Sequence, residues 1–187
     1  MKFMTTSLEG VTLIEPDVFR DGRGFFLETY RADKYRQGGI DVRFVQDNQS
    51  RSVKDTLRGM HAQRRHPQAK LVRVLAGTIA DIVVDIRRGS RTYLQWLSFE
   101  LSAENFHQLY VPAGFAHGFC VISECAEIEY KCTDFYDPED ELRIIWNDPS
   151  IGIKWPVTAP LLSPKDSAAH TIKELIDQLP AMSGAGG

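Results

Sequence analysis

Cysteine is scarce in this chain. Cys120, Cys125 and Cys132 are the three among 187 residues, an odd number with no C-x-x-C spacing. That argues against a disulfide framework and a structural zinc site, and it fits a reducing cytoplasm. A basic surplus is also missing: Lys plus Arg number 22 against 25 Asp plus Glu, a net charge of −3. A general nucleic-acid binder needs the opposite balance, although a local basic pocket for one small anion stays open. No apolar run approaches the roughly 18–20 residues of a membrane span. The opening MKFMTTSLEGV carries no signal-peptide apolar region. These absences point to a cytoplasmic protein without membrane or nucleic-acid partners, long enough to bury a core without staples.

What the chain does have is closely spaced strand patterns. Leu71–Leu75 and Ile79–Ile86 flank Ala76-Gly77-Thr78 and read as a hairpin. Thr92–Leu101 is rich in aromatic and branched residues, and Gln108–Val111 and Phe119–Ile122 flank a turn bearing Pro and Gly. Ala126–Thr133 and Arg143–Trp146 follow. Short strands with turn residues between them predict an antiparallel sandwich or barrel rather than βαβ units. Helical periodicity is limited to Ser167–Leu179, with Ile172, Leu175, Ile176 and Leu179 on one face, and to a short piece at Ala32–Gly38. No repeat or linker divides the chain, so residues 1–187 are expected to form one all-β domain, with 183–187 a flexible tail.

Among the five histidines, two stand in unusual contexts. His117 lies in Pro112-x-Gly114-x-x-His117, a spacing that resembles the second motif of the cupin superfamily. That resemblance implies an all-β double-stranded β-helix, the cupin jelly roll, with a short helical segment at the C-terminus. His61 lies in Leu57-Arg58-Gly59-Met60-His61-Ala62-Gln63. A metal-binding cupin would supply a second His where Gln63 stands, and Gln is a poor transition-metal ligand beside imidazole. Metal-free acid–base chemistry is therefore expected ahead of metal-dependent chemistry.

Other residues carry two readings. On its strand Tyr130 shares a face with Ile128 and Cys132; it is either a core tyrosine with its hydroxyl at the rim or a proton donor opposite a histidine base. Arg23 and Glu28, in the turn-and-strand segment Asp21–Glu28, are a solvated charge pair or contacts to a polar ligand. Gln46–Ser50 is a polar loop or a set of donors and acceptors for a base or sugar edge. Asp166 is a helix cap or the partner of a catalytic histidine.

Taken together, the blocks DGRGFFLE (21–28), FVQDNQS (44–50), LRGMHAQ (57–63), KLVR (70–73), LSAEN (101–105), QLYVPAGFAHGF (108–119), EYKCT (129–133), IWNDP (145–149) and LSPKD (162–166) resemble the dTDP-4-dehydrorhamnose 3,5-epimerases. The resemblance implies a cofactor-free homodimer acting on a dTDP-sugar. It would invert C3 and C5 of dTDP-4-keto-6-deoxyglucose on the route to dTDP-L-rhamnose. It further implies His61 as base, Asp166 as its orienting carboxylate, Tyr130 as proton donor and Lys70 near the C4 oxygen. Arg58, His117 and Lys165 match residues that hold the diphosphate-sugar. Arg23, Glu28, Gln46 and Asn48 match nucleotide contacts, part of them from the partner subunit. Tyr136 matches an aromatic beside the base, and Gln63 and Glu141 join the substrate-contacting set. Ala62 replaces a common Tyr, and Gln63–Ala69 is unusually basic. A C3-only epimerase, a non-catalytic nucleotide-sugar-binding cupin and a metal-dependent cupin are the alternative readings.

Overall fold

A computed structural model describes residues 1–181. The expected tail at 183–187 lies outside the described residues. Thirteen strands dominate: β1 (Lys2–Thr5), β2 (Thr12–Glu15), β3 (Val18–Asp21), β4 (Gly24–Leu27), β5 (Gln46–Val53), β6 (Leu57–Gln63), β7 (Lys70–Ala76), β8 (Thr78–Asp85), β9 (Trp96–Ser102), β10 (Gln108–Val111), β11 (Phe115–Val121), β12 (Cys125–Cys132) and β13 (Glu141–Arg143). Two short helices, α1 (Ala32–Gln37) and α2 (Pro164–Ser167), and a 3₁₀ turn at Ile176–Gln178 complete the described chain. The architecture is the expected two-sheet jelly roll. A six-stranded sheet runs β1-β2-β10-β7-β12-β5, and a five-stranded sheet runs β13-β6-β11-β8-β9; β3 and β4 form a separate hairpin.

The Ala76-Gly77-Thr78 link does not make a hairpin. β7 pairs with β10 and β12 in the larger sheet, whereas β8 pairs with β11 and β9 in the smaller one. The link is therefore a corner between sheets. Gly77 has φ +76°, and a Cβ there would collide with the Cys125 carbonyl, so only glycine fits. Local pattern reports two strands and a turn, but pairing partners are a tertiary property. The Pro112–Gly114 turn makes the same kind of crossing, from β10 to β11.

The C-terminal helix predicted over Ser167–Leu179 also differs. His170 bridges Ile144, with Ile145 N donating to His170 O and His170 N donating to Arg143 O. This strand-like pairing interrupts the helix after α2, and a turn and the 3₁₀ segment follow. The apolar residues still face inward: Ile172, Leu175 and Leu179 are buried against Met60, Ile82 and Ile144, while Ile176 is left exposed. The period signals burial correctly at three of its four positions and fails at Ile176; the backbone conformation is decided by pairing with the segment after β13. Thr92–Gln95, expected in a strand, form a turn because the Thr92 hydroxyl donates to the buried Asp85 at 2.7 Å.

A second core fills the space between the sheets, with Val72, Leu109, Phe119 and Ile128 among its members. This packing holds the two inner faces apart at one end, where the cavity described next opens. Among the described residues no helix is long and apolar enough to cross a membrane.

Candidate active site

Strand alternation explains most of the cavity. In the six-stranded sheet, Lys70 is opposite Cys132, Asn48 opposite Tyr130, Gln46 opposite Cys132 and Ser50 opposite Ile128. Side chains at period two point to one face, so all of these line the same cavity of about 330 Å³. The five-stranded sheet supplies the facing wall. There His61 is opposite His117 and Arg143, Gln63 opposite Glu141, and Arg58 opposite Phe119. Arg58 and His61 are three residues apart and ought to face opposite ways. The register between β6 and β11 shifts at this point, and the irregularity returns both side chains to the cavity. Gly59 makes this possible: its φ is +130°, and a Cβ would stand 2.6 Å from Gly118 Cα.

His61 and Tyr130 thus come from opposite sheets. His61 Nε2 lies 2.6 Å from Asp166 Oδ1. Asp166 is buried and belongs to α2. Ser163 caps that helix by accepting from Asp166 N at 3.1 Å, and its hydroxyl donates to Asp166 Oδ2 at 2.8 Å. The two readings of Asp166 are therefore resolved: Ser163 is the cap, and Asp166 faces the histidine. Burial opposes its charge, but the hydrogen bond and charge of His61, then Ser163 and Arg143, hold its carboxyl below the usual range. With Nε2–H donated to a carboxylate, the Nδ1 lone pair is the basic site of the neutral ring. Glu141 Oε1 is 4.0 Å from Nδ1.

On the facing wall burial lowers the Lys70 ammonium from its ordinary value, against the pull of Cys132, Glu141 and Asp81. Its Nζ stands 5.9 Å from the centre of the Tyr130 ring. Burial also raises the Tyr130 phenol. A cationic donor, a protonated phenol and a carboxylate-held imidazole can together take a proton from one face of a bound carbon acid, stabilise the resulting oxyanion and return a proton from the other face.

The remaining expected residues divide. Gln46, Asn48, Arg58, His117, Tyr136, Glu141 and Lys165 line the cavity with these four. Arg58 Nε donates to Ser52 Oγ at 3.0 Å. His117 is buried with Nε2 2.9 Å from both Asp81 oxygens. Tyr136 N donates to Gln46 Oε1 at 3.0 Å, and its hydroxyl donates to Glu141 Oε2 at 3.3 Å. Gln63 lines the wall, but its amide is fully committed. Oε1 accepts from Asp137 N at 2.7 Å, and Nε2 donates to the His66 and Phe135 carbonyls at 2.8 and 3.2 Å. It staples two loops rather than offering a free group to a substrate. Arg23 and Glu28 do not reach this cavity within the chain. Arg23 pairs with Asp21 at the tip of the β3–β4 hairpin, and Glu28 pairs with Lys34 and Arg31.

The basic stretch Gln63–Ala69 is answered locally. Arg65 donates to the buried Asp140 at 3.0 Å, and His66 lies 3.7 Å from Asp134; of 64–69, only Gln68 faces the cavity. Ser50 lines the cavity too, as the ligand reading of Gln46–Ser50 expects, whereas Gln68, Phe119, Arg143 and Ser163 are lining residues outside the expected set. Arg143 could have been found by counting two residues from Glu141 on one strand face. Cys132 is buried and also lines the cavity, accepting from Asn48 Nδ2 at 3.7 Å. Among the described residues no three His, Cys, Asp or Glu side chains converge as metal ligands.

Comparison with known proteins agrees with this geometry. Residues 5–174 match the family model described as dTDP-4-dehydrorhamnose 3,5-epimerase. A relative of that name from Neisseria gonorrhoeae is 54% identical over 91% of this chain; the chain spans only 52% of that longer protein. One from Methanothermobacter thermautotrophicus is 47% identical over 92% of this chain and 95% of its own. The crystal structure of a dTDP-6-deoxy-D-glucose-3,5-epimerase from Legionella pneumophila, in complex with dTDP-4-keto-L-rhamnose, superposes with a TM-score of 0.93. It is 47% identical and covers 96% of this chain and 97% of its own.

Proposed function

The chain belongs to the dTDP-4-dehydrorhamnose 3,5-epimerase family, and from that premise we propose that it is an isomerase inverting C3 and C5 of dTDP-4-keto-6-deoxyglucose. Both protons lie alpha to the C4 ketone, so removing either gives an enolate with its charge largely on the C4 oxygen. His61 Nδ1 takes the proton. Asp166 fixes the tautomer and stabilises the imidazolium, as the carboxylate of a catalytic triad does. Lys70 meets the enolate oxygen, a term that commonly supplies about 2.7–4 kcal/mol of barrier reduction per donor. Tyr130, from the opposite sheet, protonates the other face, and the result is inversion. The cavity between the two sheets limits the access of bulk water to the enolate.

Arg58, His117 and Lys165 hold the diphosphate-sugar, with Gln46 and Asn48 toward the nucleotide. Arg23 and Glu28 reach the site from a second copy in a homodimer. The exposed Phe19, Phe25 and Phe26 on the hairpin that bears Arg23 support this reading, because such an apolar cluster is usually covered by a partner. Residues 1–187 act as one catalytic domain without a metal or cofactor, in the cytoplasm, where the three free cysteines are stable.

The observation that carries the proposal is the His61–Asp166 pair facing Tyr130 and Lys70 across one cavity. Incubation with the enzymatically made keto-sugar, with the product configuration read from NMR coupling constants, tests it. Inversion at both C3 and C5 is expected. Inversion at C3 alone would make the protein a mono-epimerase, and tight binding without conversion would make it a nucleotide-sugar-binding module.

A further inference from the structure

Arg143 belongs to none of the motifs that carry the family resemblance, yet it stands in the cavity wall beside the base. It follows Glu141 by two residues on β13, so the two side chains share a face, and its Cα is opposite that of His61. Arg143 Nε donates to Glu141 Oε2 at 2.6 Å. The other oxygen, Oε1, is the one 4.0 Å from His61 Nδ1. Both side chains are largely shielded, 26% and 11% exposed. Asp166, His61, Glu141 and Arg143 therefore form one row of alternating groups along the wall.

We infer that Arg143 is a positioning residue: it holds Glu141 in place and offsets its charge, so that His61 stays unprotonated and able to accept a proton at working pH. This rests on the reading of His61 as the base. Without the guanidinium, the ring would lie between two carboxylates, Asp166 on Nε2 and Glu141 beside Nδ1. Two anions favour the imidazolium, and an imidazolium cannot take a proton from carbon. With the guanidinium, Glu141 still steadies the imidazolium formed during reaction but does not create it beforehand.

The other charged groups around His61 do not substitute for Arg143. Lys165 sits beside Asp166 on α2, and Arg58 on β6 is turned to Ser52. His117 on β11 is tied to Asp81 of β8. Lys70 and Tyr130 face the ring from the other sheet, and Tyr136 shares Glu141 Oε2 as a neutral donor. Among the described residues, Arg143 and His61 are the basic side chains within 4.0 Å of Glu141.

The test compares pH profiles of kcat/KM, which report the free enzyme, for the wild type, Arg143→Met, Arg143→Lys and Glu141→Gln. The acid limb is expected to move to higher pH by about 0.5–1 unit in Arg143→Met. It should return most of the way in Arg143→Lys and move to lower pH in Glu141→Gln. The His61 ring titration followed by NMR should move the same way in each variant, which a merely structural role would not produce. Should Arg143→Met fold poorly, Arg143→Gln, which keeps a donor to Glu141 but no charge, is read in its place for the same upward shift, with Arg143→Lys as the restoring variant. An active wild type with an unmoved limb in Arg143→Met and Glu141→Gln would overturn the role of Arg143. No epimerisation by the wild type would instead overturn the reading on which it rests.

Discussion

His61 Nε2 and Asp166 Oδ1 stand 2.6 Å apart, although 105 residues separate them along the chain. The contact joins the five-stranded sheet to the four-residue helix α2. A helix this short has little stability of its own, so its place is set by the Ser163 cap, by this contact and by the Thr56–Leu161 bridge just before it.

Asp166→Asn replaces an acceptor with an amide that can donate to Nε2 and reverse the tautomer. Epimerisation should fall by about 10²–10⁴-fold, while substrate affinity stays within a few-fold. Steady-state kinetics with a calorimetric Kd checks both. A variant losing affinity and rate together would show that Asp166 mainly shapes the pocket.

Lys70→Met removes the donor proposed for the enolate oxygen. The expected loss in kcat is about 10²–10³-fold, the equivalent of one oxyanion donor. Stability should move the other way. Burial lowers the Lys70 pKa in the fold, so the folded state disfavours the ammonium at every pH below its unfolded value. The methionine variant should therefore resist urea at pH 7 at least as well as the wild type, a trade of stability for function.

Tyr130→Phe separates proton removal from proton return. Product formation should drop by about 10²-fold or more, while recovered substrate still acquires solvent deuterium, because His61 continues to exchange its proton. Mass spectrometry of unreacted keto-sugar reads this directly. Loss of exchange along with turnover would place Tyr130 in the first step instead.

Asp85 gives a pH prediction outside the cavity. Burial opposes its charge, but hydrogen bonds from Arg87, Ser90 and Thr92 prevail and bring it down to about 2. A carboxyl lowered in the fold stabilises above its unfolded pKa, and that stability is lost as pH falls through the folded value. Asp85→Asn should cost about 2 kcal/mol at pH 7, and its deficit should shrink between about pH 4 and 2. Urea midpoints at pH 7 and pH 3 provide the check.

Much of this site could be read in the sequence, because period two and the motif blocks speak to strand faces. Strand alternation puts Tyr130 on one face with Ile128 and Cys132, and that face lines the cavity. What local pattern could not supply was pairing. Ala76-Gly77-Thr78 looks like a hairpin until β7 and β8 take partners in different sheets. Ser167–Leu179 has a helical period, but His170 pairs with Ile144 and breaks it. Gln63 looked free for substrate because nothing in its motif reveals the Asp137 amide and the two carbonyls that occupy it. Arg143 is invisible for a related reason: it lies between the motif blocks, and its relation to His61 and Glu141 exists only in the β6–β13 register.

Proton NMR of dTDP-4-keto-6-deoxyglucose turned over in D2O tests the central claim most directly. The wild type should introduce deuterium at both C3 and C5, and His61→Ala at neither. Deuterium at both carbons with His61→Ala at the wild-type rate would contradict His61 as the base, and none in the wild type would contradict the enolate mechanism itself.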